Sequence, residues 1–320
     1  MIAIIIGIFV IYHYQFSAPQ NQTELEQFTI AIGNDDSREI AEQLESRGFI
    51  KNKIAFHIAL LGLKGISSVC VDCIMPGAYK ISKSMNVWQI ANILEKGPYM
   101  KWIIIPEGLR KEQIAEILAQ VLDWDEQKKN NWVSKQTAMK YDYLEGVYFP
   151  DTYLIPIDET GLEIAQRFIN KFNEKFAPYA DKFIQENIKW TTALKIASII
   201  QREAAGKDDM PLIAGIVWNR LLNDMKLEVD ATVQYVRGDT GSGWWAPISV
   251  ADKQIDSDYN TYLCKGLPPH PIANPGIDAI DAVLNPAETK CFYYLHDNNK
   301  EIHCAETYEE HLENIENYLK

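Results

Sequence analysis

The sequence predicts an α+β protein in two parts, and two patterns carry that reading. In the first third the motif I-A-x-x-L occurs three times, as Ile40-Ala-Glu-Gln-Leu44, Ile90-Ala-Asn-Ile-Leu94 and Ile114-Ala-Glu-Ile-Leu118, each time after a short β-like run. Further on, Thr191 to Gly238 reads as helix, turn, helix and strand, with polar groups gathered where the elements meet. The 320 residues, 47% hydrophobic and 23% charged, suit about two domains with a sizeable core that requires no metal or disulfide staple.

Residues 1–16, MIAIIIGIFVIYHYQF, are apolar through Ile11 and then aromatic. As a helix they would span about 24 Å, short of the ~30 Å hydrocarbon core of a bilayer. A membrane anchor whose first residues lie upstream, a cleaved signal peptide and a buried helix all fit this composition. We take the anchor, because the SAPQNQT that follows looks like a membrane-exit linker over residues 17–26. The first basic residue is Arg38, so flanking charge does not orient the segment.

Residues 27–105 read as a small α/β module. The β-like runs are Phe28–Ile32, Tyr79–Ser82 and Trp102–Pro106, and the turns Gly33-Asn-Asp, Lys83-Ser84 and Glu107-Gly108 lead into the helices. In each copy of the motif Ile, Ala and Leu fall on one helical face. The spacing between copies is irregular, which excludes a solenoid.

Residues 106–320 form the second domain. Residues 109–140 look helical. Leu144 to Pro156 breaks that pattern with Gly, Pro and aromatics beside Glu145 and Asp151, and core is the first reading of those aromatics. Residues 160–188 are helical again, with Phe168, Phe172 and Phe176 at core spacing. After the central stretch, Gly238 to Trp245 reads as a flexible loop carrying two tryptophans, a lid or subsite wall. Tyr259 to Gly276 reads as an ordered loop, a hairpin follows over 291–305, and Tyr308–Leu319 is a final helix.

Within the central stretch, Ile196, Ile199 and Ile200 recur at i, i+3 and i+4, and the next stripe position is Glu203. Burial and the negative end of a helix dipole both raise a carboxyl's pKa, as a general acid requires. Periodicity alone leaves open a Glu that fringes the stripe and reaches water. A second helix, PLIAGIVWNRLL, follows Asp208-Asp209. Then come Asn219-Arg220 and a β-like run, Ala231–Tyr235, with Asp230 at its mouth.

Many short pieces then align in one order. They are Ile105-Pro-Glu-Gly108, Leu144-Glu-Gly-Val-Tyr-Phe-Pro-Asp-Thr-Tyr153, Ile196-Ala-Ser-Ile-Ile-Gln-Arg-Glu-Ala204, Asn219-Arg220-Leu221, Asp230-Ala-Thr-Val-Gln-Tyr235, Tyr259-Asn-Thr-Tyr262, Gly266-Leu-Pro-Pro269 and Ile272-Ala-Asn-Pro-Gly276. Together they resemble the endolytic murein (lytic) transglycosylases, the MltG/YceG-like family. The resemblance implies that Glu203 is the catalytic acid and then base, and that residues 27–105 are a LysM-like module. It also implies that Asn219, Arg220, Asp230, Thr232, Gln234, Tyr235, Tyr259, Asn260, Tyr262 and Asn274 position the glycan. The implied partners are peptidoglycan strands and cell-wall synthesis proteins, at the outer face of the cell membrane. Gln201 stands where the family often has a first Glu, Ala231 where Pro is usual, and His270, at the expected rim of the site, where Gly is usual.

Composition closes other routes. A net charge of −13 without a basic run argues against a nucleic-acid partner. There is no G-x-S-x-G, and no cysteine has an evident histidine partner, so a Ser or Cys nucleophile is unsupported. Cys70 and Cys73 form an isolated C-x-x-C, which does not make a zinc site, and no metal or cofactor is expected. A two-residue loop at Asp297-Asn298 would set Cys291 opposite Cys304. A disulfide and two buried thiols are both open, and thiols are the expectation. Two rival readings of the whole are a non-catalytic glycan scaffold and a water-using muramidase with Asp230 as base.

Overall fold

The computed structural model describes residues 10, 12–34, 36–64 and 74–319. Most of the expected anchor, and both Cys70 and Cys73, lie outside them. Among the described residues no helix is long and apolar enough to cross a membrane. The chain divides into two compact units, Met1–Ile103 with Thr152–Glu159, and Ile104–Asp151 with Thr160–Lys320.

The first unit carries a four-stranded sheet, β1 (Glu26–Ile30), β2 (Gly77–Ile81), β3 (Met100–Ile104) and β4 (Thr152–Pro156), side by side in that order. The β1–β2 pair is antiparallel, from Glu26 opposite Ile81 to Ile30 opposite Gly77. Strands β1 to β3 begin two residues before the expected runs, because the partner strand and not the hydropathy of the run sets where pairing starts; Ile32, expected inside β1, is left exposed. Helices α1 (Ser37–Ser46), α2 (Lys53–Lys64) and α3 (Val87–Lys96) complete the unit. Asp36 caps α1, and Asn86 and Gln89 form a capping box on α3. The motif works as the sequence suggests. Ile40, Ala41 and Leu44 and their counterparts Ile90, Ala91 and Leu94 are fully buried beside Phe28, Phe49 and Phe56. Each Ile or Leu so buried contributes about 1.5–3 kcal/mol.

The second unit begins with α4 (Lys111–Leu122) and α5 (Glu126–Asn131). The third motif copy lies on α4, where Ile114, Ala115 and Leu118 are fully buried. Next come α6 (Gly161–Gln185), α7 (Trp190–Glu203), α8 (Met210–Leu222), α9 (Asp230–Arg237) and α10 (Ile277–Leu284), then the hairpin β5 (Tyr293–His296) with β6 (Ile302–Ala305), and α11 (Tyr308–Tyr318). Helix α6 opens on a Thr160–Glu163 capping box and buries Phe168, Phe172 and Phe176, as their spacing predicts, and Phe183 as well.

Helix α7 is the centre of this unit, packed by α6, α8, α9 and α10, and it buries every residue from Ile196 to Ile200. Tyr148, Phe149 and Tyr153 are core. Gly146 has φ +88°, and a Cβ there would stand 2.7 Å from the Pro271 ring, so only glycine lets these two loops approach.

Two expectations, the strand at Ala231–Tyr235 and the free thiols at Cys291 and Cys304, are corrected, and the tryptophan loop is placed. Residues Ala231–Tyr235 are helix and not strand. Thr, Val and Tyr carry β propensity, but Ala231, Thr232 and Val233 are buried on α9, and packing overrides the local preference. The tryptophans of the Gly238–Trp245 loop are anchored. Trp245 Nε1 donates to Gln113 at 2.8 Å, Trp244 Nε1 donates to Glu116 at 3.2 Å, and the Arg202 guanidinium lies 4.0 Å from the Trp245 ring centre. Cys291 and Cys304 form a disulfide, with Cα atoms 5.8 Å apart. The hairpin loop is longer than expected, so Cys304 pairs in the ladder with Tyr294. The bridge instead ties β6 to the segment that enters β5.

Candidate active site

Glu203 is the last residue of α7, and the chain turns away at Ala204 with extended backbone. Its side chain stands in a cleft of about 520 Å³ whose walls come from the loop before α9, from the hairpin and from α11. Glu203 as a whole is half-buried, yet its carboxyl is closely surrounded by protein, and for its ionisation those surroundings matter more than the residue's total area. Burial raises its pKa, and the negative charge of Asp230 adds to the rise. Two donors oppose this. The Tyr294 hydroxyl donates to Glu203 Oε2 at 2.7 Å, and the backbone N–H of Ala231 donates to the carboxyl. Ala231 lies in the first turn of α9, and no side chain caps that helix. The Ala231 N–H at this helix start therefore faces a carboxylate, the favourable end of the dipole. Burial thus favours the protonated carboxyl, and the fixed donors favour the carboxylate.

The other cleft residues divide by task. Asp230 Oδ1 accepts the Tyr262 hydroxyl, and Lys253 Nζ stands 3.9 Å from the same oxygen. Arg220 is buried. Its Nε donates to Phe292 O at 2.6 Å, its Nη1 to Lys226 O and Leu227 O at 2.9 Å each, and it pairs with Glu228 at 3.1 Å. It therefore clamps the loop before α9 to the hairpin that carries Tyr294.

Several residues expected to position glycan are placed away from this cleft. Asn219 donates to Thr289 O and Cys291 O, and so fixes the entry to the hairpin. Thr232, fully buried, bonds Val229 O and the Thr261 hydroxyl. Gln234 holds the Trp245 and Ala246 carbonyls, and Asn260 the Lys253 and Ile255 carbonyls. Tyr235 and Tyr259 pack ring to ring at 5.0 Å beside Arg110. His270 lines a separate small cavity of about 220 Å³ against Tyr141, so it is not on the rim of the Glu203 cleft.

Asn274 is fully buried and donates to Leu109 O at 3.0 Å and to Glu145 at 2.6 Å. Glu145 is itself buried, and its carboxyl is pushed up to about 8, first by burial and then by the charge of Glu112. A carboxyl whose folded pKa lies above its unfolded value holds an extra proton in the folded state between about 4.5 and about 8. Stability therefore falls as pH rises through that window. Glu145→Gln should flatten the dependence of Tm on pH there; an unchanged slope in thermal melts from pH 4.5 to 8.5 would show that other groups set it.

Two further features are less suited to chemistry. A larger cleft of about 770 Å³ is walled mainly by Phe172, Phe176, Phe183 and Trp190, without a paired acid and base. Asp297, Glu301 and His303 gather within 4.8 Å, but Asp297 Oδ1 accepts the N–H groups of Asn299 and Glu301 and so serves the hairpin turn.

The sequence profile of the YceG-like family matches residues 28–317. The chain belongs to the YceG-like family. It is 27% identical over 316 residues to a Streptococcus pneumoniae (serotype 2, strain D39) protein named endolytic murein transglycosylase, covering 88% of this chain and 56% of that protein. It is 29% identical over 304 residues to a Bacillus subtilis (strain 168) protein of the same name, covering 88% and 81%. The chain thus spans little more than half the length of the pneumococcal relative. The crystal structure of a YceG-like protein from Listeria monocytogenes superposes with a TM-score of 0.62 at 25% identity, covering 91% of this chain and 99% of that one.

In this YceG-like chain the site also contains residues that sequence reading did not single out. Tyr294 is the direct partner of Glu203, and His296, two positions on along β5, meets Asp209 at 3.2 Å. The signal available was the alternation of the strand, which places Tyr294 and His296 on one face. Tyr294→Phe should lower kcat about tenfold, by removing a hydrogen bond to a charged group. That bond lowers the Glu203 pKa, so its loss should move the limb of the pH–rate profile set by Glu203 to higher pH. A profile unmoved in the Phe variant would mean that Tyr294 only packs.

Proposed function

We propose that the chain is an endolytic lytic transglycosylase of peptidoglycan. It would cleave the β-1,4 bond from N-acetylmuramic acid to N-acetylglucosamine within glycan strands and leave 1,6-anhydromuramic ends. The observation that carries this reading is a single shielded carboxyl, Glu203, with the Tyr294 hydroxyl and the Ala231 N–H on its oxygens. The name shared by the relatives supports the same reading.

In the first step protonated Glu203 gives its proton to the bridging oxygen. The bond to muramic C1 breaks, and the glucosamine leaves with its 4-hydroxyl. The carboxylate that remains is held by Tyr294 and the N-terminus of α9. It takes the proton of the C6 hydroxyl of the same muramic residue while O6 bonds to C1. Glu203 ends protonated, and no water is consumed. The C6 hydroxyl is held intramolecularly, at an effective concentration of ~10⁵ M or more when well oriented, so it outcompetes water.

A muramidase needs a second carboxylate free to activate water. Asp230 is already engaged by Tyr262 and faced by Lys253. Asp230→Asn should therefore reduce rate or binding moderately and leave the product unchanged. Mass spectrometry of products from purified murein sacculi tests the reading, with anhydro ends one water lighter than hydrolytic ends. Reducing muramic ends, or ¹⁸O taken up from labelled water, would establish the muramidase instead, and binding without turnover the scaffold. The same reading includes a LysM-like hold on glycan by residues 27–105, a membrane anchor at residues 1–16 with the second unit outside the cytoplasm, and cell-wall synthesis proteins as neighbours. Recovery of full-length protein wholly in the soluble fraction, with its N-terminus intact, would rule out the anchor.

A further inference from the structure

Both sugars of the glycan carry a C6 hydroxyl, so the acid alone does not choose which bond is cut. The muramic residue differs by its 3-O-lactyl group. That group ends in a carboxylate, either its own or, where a stem peptide extends it, those of the peptide. A cation beside Glu203 would therefore tell the muramic residue from the glucosamine. Arg220 is committed to three backbone carbonyls and Glu228, His296 meets Asp209, and His311 stacks on Tyr293.

Lys253, in the 3₁₀ turn Asp252–Gln254, also lines the cleft. Its ammonium lies 4.3 Å from the centre of the Tyr262 ring and 3.9 Å from Asp230 Oδ1. The latter separation is beyond hydrogen-bond reach. With side chains 37% and 52% exposed, that pair is weak and costs little to exchange for another partner. The backbone beneath is fixed, because the buried Asn260 donates to Lys253 O at 3.1 Å. The lysine is thus held in the cleft by contacts weak enough to exchange. Glu203 and Glu228 would repel an anion elsewhere in the cleft, and at Lys253 an incoming carboxylate would replace that of Asp230, which keeps the Tyr262 hydroxyl.

We infer that Lys253 is the specificity-determining residue of this cleft and pairs with a carboxylate borne on the lactyl arm of the muramic residue. The inference rests on the transglycosylase reading. It is tested by binding, not turnover, in a Glu203→Gln background, by calorimetry with three tetrasaccharides. The first has alternating sugars with free lactyl carboxylates, the second has the same sugars bearing stem peptides, and the third is chitotetraose, which carries no carboxylate.

The expected result is that Glu203→Gln binds one or both muramyl ligands about tenfold or more tightly than chitotetraose, as a charge-assisted hydrogen bond provides. Adding Lys253→Met should erase that preference and leave chitotetraose affinity unchanged, while Lys253→Arg should retain it. A preference for stripped strands would place the contact on the lactyl carboxylate, and one confined to peptide-bearing strands would place it on the stem. Equal muramyl affinity with and without Lys253, or an equal loss on all three ligands, would overturn the inference while the transglycosylase reading stands. If Glu203→Gln bound no glycan at all, the reading beneath would fall, and this inference with it.

Discussion

Glu203→Gln is expected to retain the fold and lose turnover by at least ~10²–10⁴-fold, the usual contribution of a positioned acid–base group. Gln keeps the shape, and its carbonyl oxygen can still accept the Tyr294 hydroxyl. What it lacks is a proton to give and a basic oxygen to receive one, and the proposed cycle needs both from the same atom pair. The fold should survive because Glu203 ends α7, while the helix is held by residues such as Ile196, Ile199 and Ile200, all fully buried. Release of soluble fragments from labelled sacculi, read beside thermal melts, separates the two effects. Activity near wild type would end the assignment, and a large drop in Tm would show that Glu203 also supports the fold.

Arg220→Met should produce the largest loss of stability at the site. Methionine fills much of the space but donates nothing, so the carbonyls of Phe292, Lys226 and Leu227 lose their partner and Glu228 loses its cation. Three carbonyls left without their donor, at about 1 kcal/mol or more each, cost about 3–5 kcal/mol together, and the half-exposed Glu228 adds little. For a unit of this size that corresponds to a Tm lowered by roughly 10–15 °C. Activity should fall even well below the new Tm, because the clamp joins the hairpin carrying Tyr294 to the loop that leads into α9. A melt within about 2 °C of wild type would mean that the hairpin is held by its disulfide and Asn219 alone.

The sequence by itself determined which faces are buried and where Glu203 lies. The three I-A-x-x-L copies became three buried helix faces, the phenylalanines of 160–188 became core, and the stripe of α7 ran from Ile196 to the acid. These are short-range periodicities, and a helix face is legible from a few residues because its geometry repeats locally. Only the tertiary structure decided what meets the acid. Tyr294 reaches Glu203 across 91 positions, and Ala231 reaches it only because Ala231–Tyr235 is a helix. It also decided that Asn219, Thr232, Gln234, Asn260 and Asn274 bond backbone carbonyls, one another's neighbours or Glu145, away from the cleft. An amide or hydroxyl reads the same in a sequence whether its partner is a sugar or a carbonyl. The partner is fixed by which distant segments pack together, and packing is a property of the whole unit, not of any local stretch.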